Sequence, residues 1–171
     1  MMLITKDYCL TSNYKKIMAK NGYVNGSDLL LYINGKAVGH CTTHTTTFTS
    51  DTKERSVKPV ATKGIESGLW KGTGVTGLSI SIKAEGLNCY DETESSYAEL
   101  VTAWKSGKSV TVKCMERENS DKPYLEGAFI ISQLERTDPA QDDSTYSLTL
   151  DNDGEPTTID AAGITVNKTQ G

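Results

Sequence analysis

One stretch of this chain keeps a helical period, Glu94 to Ser106, and nearly everything ordered around it alternates like strand. A single amphipathic helix in a strand-rich chain fits few architectures, so this contrast constrains the fold more than any other feature. Tyr97, Leu100, Val101 and Trp104 recur at i, i+3, i+4 and i+7 and fall on one face. That stripe predicts a helix lying against one wall, with these side chains as its core anchors. Ser96 and Glu99 have capping-box spacing, and Lys105 followed by Gly107 supplies a cation and a left-handed stop at the other end. A start as early as Asp91 is the alternative reading.

The strands are of several kinds. Leu29 to Ile33 is a continuous apolar run ended by Asn34-Gly35, a strong two-residue hairpin signal, and the chain returning through Ala37 to Thr49 is expected to pair with it. Apart from Phe48, both faces of that returning segment are mostly threonine from His40 onward, with no Lys or Arg before Lys53. Leu78 to Ile82 alternates cleanly and predicts a strand reaching about Glu85, followed by strands at Val110 to Cys114, Tyr124 to Leu134 and Tyr146 to Leu150. Between Asp51 and Gly77 the pattern lapses into glycine-punctuated sequence carrying Leu69 and Trp70, which reads as a long loop of the functional or interface kind.

The fold class that follows is mainly β: an antiparallel sandwich or barrel of six or seven strands with one flanking helix. Residues 25–150 form its body. Residues 1–24 show neither period and are expected to be an N-terminal arm or, up to residue 17, an upstream extension, since Met18-Ala19-Lys20 offers a second start. Residues 151–171 turn at Asp151-Asn152-Asp153-Gly154 and read as a C-terminal arm.

Composition removes several function classes. A net charge of −4 leaves no overall basic patch with which to grip nucleic acid. Cys9, Cys41, Cys89 and Cys114 are too scattered for a CxxC metal site or a disulfide scaffold and are expected to be buried thiols. Met1 to Ile4 is too short for the apolar core of a leader, and no run approaches a membrane span, so the expectation is a soluble cytosolic product.

Catalytic chemistry finds little support either. On a strand His40 and His44 would share a face while Cys41 points away, which argues against a zinc site. Asp151 to Glu155 lacks the spacing of a calcium loop, and Lys71 to Gly74 lacks that of a phosphate loop. No nucleophile has a candidate base, and Glu92, Glu94, Asp142 and Asp143 read as solvated loop charges. No catalytic, metal or cofactor residue is nominated, and the chain is read as a non-enzyme. The informative chemistry is hydroxylic: Thr42, Thr46, Ser79, Ser81, Ser147 and Thr149 stand where a sandwich surface often carries Lys and Glu.

In order, Asn25 to Tyr32 with Asn34-Gly35-Lys36, Lys71 to Ser81, Leu100 to Gly107 with Val110 to Lys113, Glu126 to Leu134, and Tyr146 to Leu150 resemble the major tail tube proteins of long-tailed phages. The resemblance covers about residues 22–160 and extends to the inner-tube subunits of contractile tails and type VI secretion. It implies homo-hexameric rings stacked into a tube through which DNA passes without specific binding, in a virion tail made in the bacterial cytoplasm. Its implied partners are further copies of the chain, a tape-measure protein and tail terminator or initiator proteins, with no cofactor and no membrane. It also implies ring-to-ring contacts by the long loop and the terminal arms, for which Leu69, Trp70, Ile159 and Ile164 are the candidates. An inner-tube subunit of a contractile injection machine is the alternative. A monomeric β-sandwich binding module, with Trp70 and Tyr124 as a ligand platform, is the third reading.

Overall fold

The computed structural model describes residues 24–55, 71–89, 94–117 and 122–159. After a short 3-10 turn at Gly26–Asp28 come β1 (Leu29–Ile33), β2 (Lys36–Ala37), β3 (Cys41–Arg55), β4 (Gly72–Leu87), α1 (Tyr97–Ser106), β5 (Val110–Glu116), β6 (Leu125–Thr137), β7 (Thr145–Asn152) and β8 (Thr158–Ile159). All eight strands join one antiparallel sheet in the order β2-β1-β5-β6-β7-β4-β3, with β8 beside β6.

Asn34 and Gly35 have φ of 50° and 84°, the two left-handed residues of a type I′ turn, and they reverse β1 into β2 as the dipeptide predicts. The returning strand, however, leaves β1 after two residues. From Cys41 it pairs with β4 along its whole length, Phe48 opposite Ile80 and Arg55 opposite Gly72, so the expected pairing of residues 37–49 with β1 ends at Ala37. Threonines on both faces carry no period that would have named the partner. The same ladder replaces most of the expected 51–77 loop, since β3 and β4 stay paired through Arg55 and Gly72. Leu69 and Trp70 lie outside the described residues.

β2 and β3 sit at opposite ends of the strand order yet are separated in sequence only by Val38, Gly39 and His40. Those residues can span at most about 14 Å, so the sheet must curl until its ends nearly meet. The ends do not pair. A groove of about 690 Å³ lies between Leu29 to Tyr32 and Cys41 to His44. Long β6 belongs to both halves of the curl: Leu125 to Phe129 pair with β5, and Phe129 to Thr137 pair with β7 across a bulge at Ser132.

Curling encloses one core, built from Leu31 and Ile33, Ile80, Ile82 and Ala84, Val112 and Cys114, Leu125, Phe129 and Ile131, and Leu148 and Leu150. Phe129, Ile82, Leu148, Leu150 and Val112 are essentially inaccessible. Each such side chain contributes on the order of 1.5–3 kcal/mol by leaving water. Hydrogen bonds fasten the 38–40 crossing over this core, among them Gly39 N–H to the Ser95 carbonyl at 3.2 Å, His40 N–H to the Glu94 carboxylate at 2.8 Å, Leu87 N–H to the His40 carbonyl at 3.1 Å, and the Tyr146 hydroxyl to the Gly39 carbonyl. The crossing lies so close to β4 that a Cβ on Gly86 would stand 2.6 Å from the Tyr146 oxygen and 2.8 Å from the His40 carbonyl. Only glycine fits there.

The helix α1 starts at Tyr97, later than the expected Glu94, and stops at Gly107 with φ 62°. Ser96 makes no side-chain cap, so one half of the expected capping box is missing, while the Glu99 carboxylate meets the Ser96 backbone N–H and also reaches Lys36 on β2 at 2.7 Å. The apolar stripe is also rotated. Leu100 is buried, Tyr97 and Ala103 pack partly against the core beside Leu134, and Trp104 is 53% exposed. Inward residues thus follow an i, i+3 row, and Trp104 is not a core anchor because α1 meets the core along the Tyr97-Leu100-Ala103 line.

Candidate functional site

Register alone sorts the four strands β6, β7, β4 and β3 into two faces. On the inner face Ile82 stands opposite Leu150 and Ala84 opposite Leu148, and Leu148 opposite Leu134. The outer face carries Thr43, Thr45, Thr47 and Thr49 from β3, and Ser79, Ser81, Lys83, Glu85 and Leu87 from β4. β7 adds Thr145, Ser147, Thr149 and Asp151, and β6 adds Ile130, Gln133, Glu135 and Thr137. None of these residues is buried. Ten of the seventeen bear hydroxyls, and three carboxylates stand against one lysine, which lies 3.2 Å from Glu85. An ion pair this exposed contributes little stability. What it does is cancel the one cation on this four-stranded part of the face; farther out, β3 adds Asp51, Lys53 and Arg55 on the same side.

Sequence reasoning found four of the ten hydroxyls of this face. Ser79, Ser81, Ser147 and Thr149 lie on it, but Thr42 and Thr46 do not: Thr46 pairs with Ile82 on the inner side, and Thr42 sits at a register shift with its hydroxyl donated to the Glu85 carbonyl at 3.1 Å. The odd-numbered threonines Thr43 to Thr49 take their place. Their alternation with even-numbered threonines hid which set faces out.

This four-stranded portion is open at both sides among the described residues. No described strand pairs with the far edge of β3, and none pairs with β6 beyond Phe129 on the side away from β7. Beyond the core β3 and β4 continue as an arm, on which Phe48, Val75 and Leu78 are 60% exposed or more.

The remaining candidates scatter. His40 is in the crossing with φ 43° and not on a strand, whereas His44 lies on β3, so the two do not converge. His44 Nε2 is 3.3 Å from the Tyr124 hydroxyl, which also bonds the Cys114 thiol. Burial holds the His44 pKa below its ordinary value, pushes the Tyr124 phenol up, and lifts the Cys114 thiol to about 12. Tyr124 therefore serves an internal polar chain and offers no ligand platform. Cys114 is buried as expected, Cys41 half-buried, and Cys89 exposed on the segment after β4, where the core ends. No cluster of three or more His, Cys, Asp or Glu residues suited to a metal occurs among the described residues. Among those residues, too, no helix is long and apolar enough to cross a membrane.

Of the expected stacking residues, Ile159 is on β8, paired with Leu125 and 55% exposed, while Leu69, Trp70 and Ile164 lie outside the described residues, as do residues 1–23. The beginning of the expected C-terminal arm thus folds back on β6, a return the weak periodicity after Asn152 concealed.

Comparisons with known proteins agree on what such a sheet is. The chain is similar to the chain in the virion of a native gene transfer agent particle, with 15% identity, 81% of this chain and all of that one covered, and a TM-score of 0.64. It is similar to that in the tail of an empty gene transfer agent particle determined with C6 symmetry, at 15% identity, 80% and 98% coverage, and a TM-score of 0.63. The SPP1 tail tube matches at 17% identity over 78% of each chain, with a TM-score of 0.52. No sequence match to a curated protein reaches significance. At these identities the likenesses speak to fold. Membership rests on the family model for phage tail tube protein, which matches residues 23–158 and so spans every described strand but the last residue of β8. With strand order, open edges and helix all inside the matched region, the chain belongs to the phage tail tube protein family.

Proposed function

We propose that this tail tube subunit assembles as homo-hexameric rings, joined β3 edge to β6 edge, so that the hydroxyl face of its four strands lines a continuous lumen. The observation that carries the reading is the polarity of that face: ten hydroxyls, three carboxylates and one paired lysine on four strands that are open at both sides among the described residues. Unpaired strand edges invite pairing with another chain, and closing the sheet around a ring removes them. A wall of this composition suits a DNA conduit, because each Lys or Arg to phosphate contact adds salt-dependent affinity and drag. It wets without gripping. The C6 symmetry of the similar gene transfer agent tail supports six copies.

Stacking of rings gives the tube of a virion tail, made in the host cytoplasm, with a tape-measure protein inside it and terminator and initiator proteins at its ends. The assignment leaves no role for catalysis. Residues at the arm, the chain ends and Ile159 would meet neighbouring rings.

Negative-stain microscopy and sedimentation at rising protein concentration test the assembly. Rings or tubes are expected, and a strict monomer at every concentration overturns the reading. For the lumen, a variant carrying Thr47→Lys, Ser81→Lys and Thr149→Lys should fold and form tubes that retain short duplex DNA at low salt, which wild-type tubes release. Equal retention by both would remove this face from the lumen.

A further inference from the structure

Where the core ends, the hydroxyl face gives way to charge, and the strand beside that charge changes with it. Asp51, Lys53 and Arg55 lie on the outer face of the β3–β4 arm, and the residues paired with them on β4 are Gly77, Gly74 and Gly72. The bulge at Thr76, between Asp51↔Gly77 and Thr52↔Val75, keeps this correspondence through the register shift. The inner row of the same stretch is Thr73, Val75 and Leu78, and farther along β4 the outer row is Ser79, Ser81, Lys83 and Glu85. From Gly72 to Glu85, then, glycine stands only across from charge, although it weakens a strand wherever it occurs.

Two of the three charges use the space this leaves. A Cβ on Gly74 would stand 3.4 Å from Arg55 Nε, 3.6 Å from its Cζ and 3.8 Å from its Nη2, so the guanidinium leans back from its own partner Gly72 and fills the room of a side chain at 74. A Cβ on Gly77 would stand 3.1 Å from Asp51 Oδ2. No carboxylate among the described residues pairs with Arg55, so bare backbone and not an ion pair gives the guanidinium its place. We infer that Gly74 and Gly77 are positioning residues: they open a trench in which Arg55 and Asp51 lie down, so that the arm continues the lumen wall without raising its guanidinium to a passing phosphate. The inference rests on the lumen reading above and adds to it the reason an arginine on that face does not grip DNA. Arginine holds phosphate through paired N–H donors at the end of a three-methylene stem, which can reach well above Ser and Thr. Laid over a peptide, that fork runs along the wall. Upright and repeated around each ring, it would form a cationic collar in the path of the DNA.

The test is Gly74→Val, whose branched carbons suit a strand and take the place of the guanidinium. Gly74→Thr, equally suited to a strand, serves if valine blocks tube formation. Tubes of the variant should retain short duplex DNA at low salt, where wild-type tubes release it, and retention should fall about threefold per phosphate engaged between about 50 and 200 mM salt. Gly74→Val/Arg55→Gln tubes should release DNA as wild type does, a rescue that a merely structural role for Gly74 would not give. The resting place itself is read on the free subunit, by an NMR Overhauser effect between the Arg55 side-chain Nε proton and the Gly74 α protons, expected in wild type. Its absence, or retention that survives Arg55→Gln, overturns this inference alone. So does release by Gly74→Val tubes when the Thr47→Lys/Ser81→Lys/Thr149→Lys tubes retain DNA. Release by both overturns it together with the lumen reading, and a wild type that never leaves the monomer overturns it together with the assembly.

Discussion

The two halves of β4 share one ladder with β3, interrupted by the bulge at Thr76, and they meet opposite fates. From Ile80 to Gly86 every second residue is buried, Ile82 and Ala84 completely, because β7 lies alongside and the curled sheet closes over them. From Gly72 to Leu78 the inner row faces solvent, because β7 has ended opposite Ser81 and β3 is the one neighbouring strand left among the described residues. Each half borders one register shift in its pairing with β3, at Thr42 and at Thr76. What differs is whether anything lies opposite. A two-stranded ribbon is marginal without a covered face, so the inner half supports the outer one.

The largest effect that could break this comparison is in the covered half and its surroundings. Phe129→Ala or Ile82→Ala should cost about 2–5 kcal/mol in denaturant unfolding, since both side chains are fully enclosed. A loss below about 1 kcal/mol would mean that the curl is looser than its burial states. The helix gives a second contrast of the same kind. Leu100→Ala should fall in the same 2–5 kcal/mol range, whereas Trp104→Ala, half exposed, should cost under about 1 kcal/mol. Equal losses would return Trp104 to the core.

Gly86→Ala is expected to cost about 1–3 kcal/mol, as its Cβ would meet the Tyr146 oxygen and the His40 carbonyl. Here the readout that sharpens the comparison is hydrogen exchange: protection should drop at the 38–40 crossing and at β4 near Gly86, and stay unaltered in the arm. The smallest effect is at His44. Its pKa is lowered by burial, so the folded state binds fewer protons than the unfolded one as pH falls. Its stabilising neutral form is complete above the unfolded pKa near 6.5, and stability declines as pH drops through the lower folded value. His44→Gln should flatten the melting temperature between pH 7 and pH 5, and a slope equal to wild type would assign the pH dependence to other groups.

Much of the local architecture is legible in the residues. β1 runs over Leu29 to Ile33 as the apolar run indicates, the Asn34-Gly35 turn has both expected left-handed angles, and the helix stops at Gly107. The strand at Leu78 to Glu85 is present but extends back to Gly72, which three glycines and the bulge at Thr76 disguise as loop, because a bulge shifts the period of two by one residue. The hydroxyl face was legible as chemistry and not as geometry: Ser79, Ser81, Ser147 and Thr149 belong to it, while the threonine run could not say which of its two sets would join them.

The partner of β3, the inward side of α1 and the uncovered end of the arm are of another kind. Each depends on what stands nearby: Ile82 opposite Thr46, the core cluster against Leu100, and no described strand over Leu78. By itself, then, the sequence determines which side chains share a face, through backbone periods of two and 3.6 and the turn residues that interrupt them. Only the tertiary structure decides which of those faces is covered, because burial is a relation between segments distant in the chain, and no local period encodes it.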